Sequence, residues 1–289
     1  MSIRTIIAAV SGGSASAGTV DLACDLASRF KAHVEGLRVQ IDPRLMIAVG
    51  VDDIGSPQAG LAIEAAVQAE AEATQRAKNM FETAVKRHQL PIRETPPAKD
   101  PALLQTASAA WRVEVGRGTD NLVSRARMFD LVVLGRSGRV IDEPHSDAIE
   151  AALLATGRPI LIAPEKKPET IGKSIALAWN DSAQSAAALG AALPFLAAAN
   201  EVHLLTLGDT KAEALAAHLG WYGIAAKVHS VYKIERAGAG DLLLAAAREQ
   251  GADLLVMGGY GHSPWREMLF GGATRHIVSV SRLPLLLAH

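Results

Sequence analysis

At 289 residues, with 49% apolar and 20% charged residues and a formal net charge of −1, the chain has globular composition and length enough for two modest cores. Acidic and basic residues nearly cancel in each half, so the basic footprint of a nucleic-acid binder is missing. No apolar stretch reaches membrane-spanning length, and the expectation is a soluble, cytoplasmic protein with neither a nucleic acid nor a membrane as partner.

The first strand is predicted over Arg4–Val10; Met1–Val10 lacks the longer apolar core and cleavage site of a signal peptide. Ser11-Gly12-Gly13-Ser14-Ala15-Ser16 follows. It resembles the SGGxDS loop with which ATP pyrophosphatases grip pyrophosphate, except that Ala15 replaces the aspartate. Ala15–Phe30 reads as a helix carrying Cys24, the only cysteine, which excludes an internal disulfide or cysteine-rich metal site and fits a buried small residue. About thirty extra residues follow from Asp42 to Thr74, a length unusual for a loop inside a compact domain. An alanine-rich helix then runs to about His88, with Ile63, Val67, Met80, Phe81, Ala84 and Val85 compatible with one buried stripe. The irregular Ile47–Gly60 segment has the alternative role of a lid or partner surface.

Beyond this point the chain repeats itself. Asp130-Leu131-Val132-Val133-Leu134-Gly135 is echoed by Asp253-Leu254-Leu255-Val256-Met257-Gly258, and Gly138 by Gly261. Arg158–Ala163 answers Leu283–Ala288, and Arg4–Val10 answers Lys173–Trp179. Two prolines and four charges in Pro164–Glu169 mark the join, giving domains 1–167 and 168–289. Short apolar runs alternating with longer amphipathic ones are the pattern of βα units on a parallel sheet. In the second half strands are predicted near Ser174–Trp179, Glu201–Leu207, Ala226–Val231, Asp253–Met257 and Leu285–Ala288.

In the second half Gly258, two residues, Gly261, nine residues and Gly271 begin where one strand ends and close where a helix begins. Glycine lets the backbone approach phosphate oxygens, and a helix N-terminus offers unpaired N–H groups, so the expected ligand is an anion. In an open parallel sheet it would settle at the strand carboxyl ends where strand order reverses, bringing Asn180 beside Gly258. Such a site suits a nucleotide: phosphates on the glycines, the base against Leu207 and Met257, the ribose near Asn180.

Met257-Gly258-Gly259-Tyr260-Gly261, nine residues, Gly271 and then Pro284-Leu285-Leu286-Leu287 resembles the ATP-binding signature of universal stress proteins, and the resemblance extends over both halves. It implies two tandem doubly wound α/β domains with five-stranded parallel sheets, Rossmann-like and of the adenine-nucleotide α-hydrolase type, paired as two chains pair in single-domain members. It also implies phosphate contacts at Gly258, Gly261 and Gly271 and at the backbone of Gly272 and Ala273, with adenine contacts at Leu207 and Met257. The cofactor implied is ATP, ADP or AMP. Two positions depart from the family pattern. Gly272 replaces a small hydroxyl residue, with Thr274 nearby, and losing one neutral hydrogen bond costs only about 1 kcal/mol net. Asn180, followed by Asp181 and Ser182, stands where an aspartate is common, which weakens the case for bound magnesium. Arg266 in the spacer has a phosphate within reach, while Tyr260, His262 and Trp265 have places at the mouth or in a solvated spacer.

In the first half, alignment on the prolines puts Ser146 opposite Gly271 and Asp147 opposite Gly272. An aspartate at a helix N-terminus supplies its own negative charge, so a degenerate site is expected there. No catalytic grouping emerges: His145, His203, His218, His229 and His276 lie scattered. The reading is therefore a nucleotide-binding stress regulator with an unidentified protein partner and a homodimer as its assembly. The alternatives are a ligand-free scaffold acting through its surfaces, or a slow ATP-hydrolysing or ATP-transferring enzyme.

Overall fold

The computed structural model describes residues 2–41, 57–97, 100, 102–116, 118–136, 148–164, 168–208, 211–232, 238–259 and 272–289. It forms two compact units, Arg4–Thr156 and one built on Gly157–His289.

The first unit contains β1 (Thr5–Ala9), α1 (Ser14–Phe30), β2 (His33–Gln40), α2 (Pro57–Arg87), β3 (Ser108–Val115), α3 (Gly118–Ala126), β4 (Leu131–Gly135) and α4 (Ala148–Ala155). Its strands lie parallel in the order β3-β2-β1-β4. Ile6, Ile7 and Ala8 are fully buried, as expected of a central strand covered on both faces. Helix α2 begins at Pro57 and not after Thr74, so part of the predicted extra segment is helical. The predicted single buried stripe along it also fails in its first half. Ala73, Ala77, Phe81, Ala84 and Val85 are buried, Ile63 and Met80 only partly, and Val67 is exposed. Packing begins only where the helix meets α1 and the sheet: Phe81 stacks on Trp111 with ring centroids 5.4 Å apart and fills the space that a Cβ on Gly36 would need. Of Ile47–Gly60, residues 47–56 lie outside the described residues.

The second unit contains β5 (Ile160–Ala163), β6 (Ser174–Trp179), α5 (Ala183–Leu196), β7 (Glu201–Thr206), α6 (Ala212–Leu219), β8 (Ala226–Ser230), α7 (Ala239–Glu249), β9 (Leu254–Gly258), α8 (Gly272–Val280) and β10 (Leu285–Ala288). Five strands run parallel in the order β8-β7-β6-β9-β10. β5, by sequence the last strand of the first repeat, joins this unit and pairs antiparallel with β10, Leu285 opposite Ile162 and Leu287 opposite Ile160. All four residues of each are buried. β5 thus covers the apolar flank of β10, which would otherwise be an open edge inviting aggregation.

The repeated aspartates have the same job in both units. Asp130 accepts hydrogen bonds from the amides of Arg4 and Thr5 at 2.8 and 3.0 Å, and Asp253 from those of Lys173 and Ser174 at 3.0 and 3.1 Å. Each aspartate pins the start of the central strand to the strand beside it.

Candidate functional site

In the second unit β6 is central, and the chain places β7 on one side of it and β9 on the other. The strand order reverses there, and a ligand crevice belongs at the carboxyl ends of β6 and β9. The predicted residues Asn180 and Gly258 both leave the sheet at this edge.

After β6, Asp181 takes a left-handed conformation with φ 56°, and Ser182 caps α5. The Ser182 hydroxyl accepts the Ser185 amide at 3.1 Å while Ser185 Oγ accepts the Ser182 amide at 3.1 Å, a capping box built on serine. Asn180 Oδ1 accepts from the Ser182 amide at 3.3 Å and from its hydroxyl at 2.6 Å. The Asn180 carbonyl is thus committed to its own turn, and the group it can offer a ligand is its amide nitrogen, a donor. Asp181 is paired with Lys211 Nζ at 3.1 Å.

Gly258 ends β9 against the first turn of α5. A Cβ there would lie 2.6 Å from the Gln184 carbonyl carbon and 2.8 Å from the Ser185 nitrogen, so only glycine lets strand and helix approach this closely. The next residue is tied to β10: Gly259 N–H donates to the Ala288 carbonyl at 2.8 Å, and its own carbonyl accepts from His289 Nδ1 at 2.9 Å. Met257 is buried and Leu207, just past β7, partly so; they flank the end of β6 from opposite sides. Gly272 and Ala273 open α8, which has no acidic residue in its first turn, and Thr274 is buried. Gly261 and Gly271, with Tyr260, His262, Trp265 and Arg266, lie outside the described residues, as do Gly138, His145, Ser146 and Asp147 of the first half.

Sequence reasoning passed over Trp179. Its ring is buried at the end of β6, and its indole Nε1 has no acceptor among the described residues. An unsatisfied buried donor costs about 1–3 kcal/mol. The only signal in the sequence was an indole at the last position of a strand, immediately before Asn180.

The histidines are not all scattered. His203 Nδ1 and His229 Nε2 lie 3.0 Å apart, with Glu201 Oε2 3.5 Å from His203 Nε2. Alternation had hidden them, because a diagonal pair on neighbouring strands is far apart in sequence. Burial, and then His229, hold the His203 imidazole below its ordinary pKa. His203 is in register with Ala176, in the body of the sheet and away from the carboxyl edge. His276 Nε2 meets Asp241 Oδ1 at 2.7 Å. Among the described residues no group of three or more His, Cys, Asp or Glu side chains is placed to hold a metal ion, and no helix is long and apolar enough to cross a membrane.

Residues 223–289 match the model of the universal stress protein family. The universal stress protein Slr1230 of Synechocystis is 27% identical over 177 residues, 55% of this chain and 57% of that protein, so the chain spans little more than half the length of this curated relative. Among solved structures, a universal stress protein from Archaeoglobus fulgidus shares the fold at a TM-score of 0.66 and 12% identity, over 98% of this chain and 97% of that one. A Pseudomonas aeruginosa protein described as functionally unknown shares it at a TM-score of 0.53 and 13% identity, over 99% and 92%. The glycine-bearing second half thus matches the universal stress protein family over residues 223–289, the chain is similar to a curated member of that family, and it shares the α/β fold of a solved one.

Proposed function

We propose that the second half binds an adenine nucleotide, ATP or its products ADP and AMP, and that the protein acts as a nucleotide-responsive stress regulator. The observation that carries this reading is the buried indole N–H of Trp179, which lacks an acceptor among the described residues and stands at the switch point where an open sheet takes its ligands. Gly258 gives the close approach, backbone N–H groups at Gly261, Gly271, Gly272 and Ala273 supply the phosphate grip, Leu207 and Met257 pack the base, and the Asn180 amide donates to the ribose. Asp181 is already ion-paired with Lys211 at 3.1 Å, so a magnesium ion arriving with the nucleotide would be held mainly by phosphate oxygens and water. The duplicated domains 1–167 and 168–289 leave the first half as a structural partner of the second. We place the protein in the cytoplasm, with a protein partner and a second copy of the chain among its associations.

Mass spectrometry of ligand released from freshly purified protein tests the assignment directly, and an adenine nucleotide is expected. In thermal titrations ATP, ADP or AMP is expected to raise the melting temperature. Trp179→Phe, losing one hydrogen bond worth about 1 kcal/mol, is expected to weaken binding roughly fivefold. If all three nucleotides at millimolar concentration leave the melting temperature unchanged, the reading fails. Turnover well above background that vanishes in Gly261→Asp would instead identify an enzyme.

A further inference from the structure

The same edge of the first unit is built differently. Pairing Ala9 with Leu37 and Ala178 with Leu205 makes Ser11 the counterpart of Asn180, Gly12 of Asp181 and Arg38 of Thr206. Both turn residues are left-handed, Gly12 at φ 83° and Asp181 at φ 56°, so the turn is shared and the residue types are not. The helix that follows the second strand also differs: α6 has 8 residues and α2 has 31.

That length lets α2 cross the Ser11–Ser16 loop. A Cβ on Gly12 would sit 2.5 Å from the Ala73 carbonyl oxygen, and Gln40 Nε2 donates to Thr74 Oγ1 at 2.8 Å. Arg38 is 1% exposed; its Nη1 donates to the Ser11 carbonyl at 2.7 Å and its Nη2 to Glu70 Oε1 at 2.6 Å, while Nε has no acceptor among the described residues. A guanidinium stays charged in a protein and its fork matches two oxygens of one anion. Here the fork is divided between a carbonyl and one carboxylate oxygen, and a buried donor is left over. Beside it α1 begins at Gly13 with no side-chain cap and no acid in its first turn.

We propose that this edge is a latent anion site held shut by the chain's own helix, with the Glu70 carboxylate standing on Arg38 where a phosphate-bearing ligand would bind. Glu70 acts as the latch. Among the described residues it is the most N-terminal residue of α2 hydrogen-bonded to another element, and the turns before it bury little, Leu61 being 68% and Val67 43% exposed. Releasing the latch therefore frees one end of a helix that stays anchored from Ala73 onward. Phosphate and α2 compete for one guanidinium, so whatever draws the exposed end of α2 away favours the anion. The loop's likeness to a pyrophosphate-gripping sequence then has a physical basis, although Gly12 is required first by the helix lying over it.

The test uses the full chain and inorganic pyrophosphate as probe, followed by melting temperature and by hydrogen exchange of the Ser11–Val20 amides. Glu70→Gln, which keeps the shape and removes the charge, and Glu70→Ala are both expected to gain saturable stabilisation and amide protection that the parent chain lacks. Adding Arg38→Met to either is expected to abolish the gain. Equal pyrophosphate responses in the parent chain and both Glu70 variants, or a gain that survives Arg38→Met, would overturn the proposal. The second half is identical in all these proteins, so its own ligand response cancels from the comparison.

Discussion

Replacing Gly258 with alanine adds one methyl group at the most tightly packed point of the candidate site. Its Cβ would lie 2.6 Å from the Gln184 carbonyl carbon and 2.8 Å from the Ser185 nitrogen, both backbone atoms of a capped helix turn with no flexible end to swing aside. Ordinary contact begins near 3.4 Å, so β9 or the first turn of α5 must yield by roughly 0.8 Å, an overpacking that costs about 1–3 kcal/mol. The less flexible unfolded chain returns about 0.4–1 kcal/mol. The net expectation is a loss of about 1–2 kcal/mol and a melting temperature lower by roughly 2–10 °C for a unit of this size. Gly190→Ala supplies the control within the same helix: nothing lies within 4 Å of its added methyl, and it is expected to gain about 0.5–1 kcal/mol from helix propensity. Urea and thermal unfolding of the full chain, followed by circular dichroism, measure both variants. If Gly258→Ala proves as stable as Gly190→Ala, the close approach of β9 to α5 is not what demands glycine, and the geometry assigned to this edge is wrong.

His203 is held neutral in the fold by burial and by His229, so its contribution to stability is complete above its unfolded pKa, about 6.5, and is lost as pH falls through its lowered folded value. Melting temperature should drop between pH 7.5 and 5, and His203→Gln should flatten the part of that drop belonging to the second unit. Glu35, almost fully buried, accepts from Arg125 Nη2 at 2.6 Å and Arg112 Nε at 3.2 Å. Glu35→Ala removes the shared acceptor of both cations and should cost toward the low end of about 3–5 kcal/mol, since Arg125 keeps Glu114 at 3.5 Å and Arg112 retains access to water. Phe81→Ala should cost about 3–5 kcal/mol, whereas Leu61→Ala, at an exposed position of the same helix, should stay within about 0.5 kcal/mol of the parent in urea unfolding.

The sheet was legible because its strands are short, wholly apolar and repeated: Ile175–Leu177 and Leu254–Val256 are fully buried, and a sheet covered on both faces asks for such runs. Asp130 and Asp253 drew notice as repeat markers, while their task of binding strand-start amides depends on long-range pairing that a sequence does not display. β5 was recognised as a strand, but its antiparallel partner was not, because apolar periodicity carries no information on strand direction. At the candidate site Gly258 was assigned to phosphate alone, and its tight fit against Gln184 became visible only once α5 and β9 lay side by side. Trp179 was missed because an apolar ring closing a strand looks like core; the unsatisfied nitrogen is a property of its surroundings. Helix α2 misled by composition, since an alanine-rich amphipathic pattern fits a packed helix equally well whether half or all of it meets the core.

Cys24 lies fully buried in α1, in the unit that also holds Arg38 and Glu70, and the other unit contains no thiol. A thiol reagent therefore reads one unit of a two-unit protein without any engineered label. Its slow reaction under native conditions clocks the opening of α1, and comparison with whole-chain unfolding tells whether the two units come apart as one cooperative body or in succession.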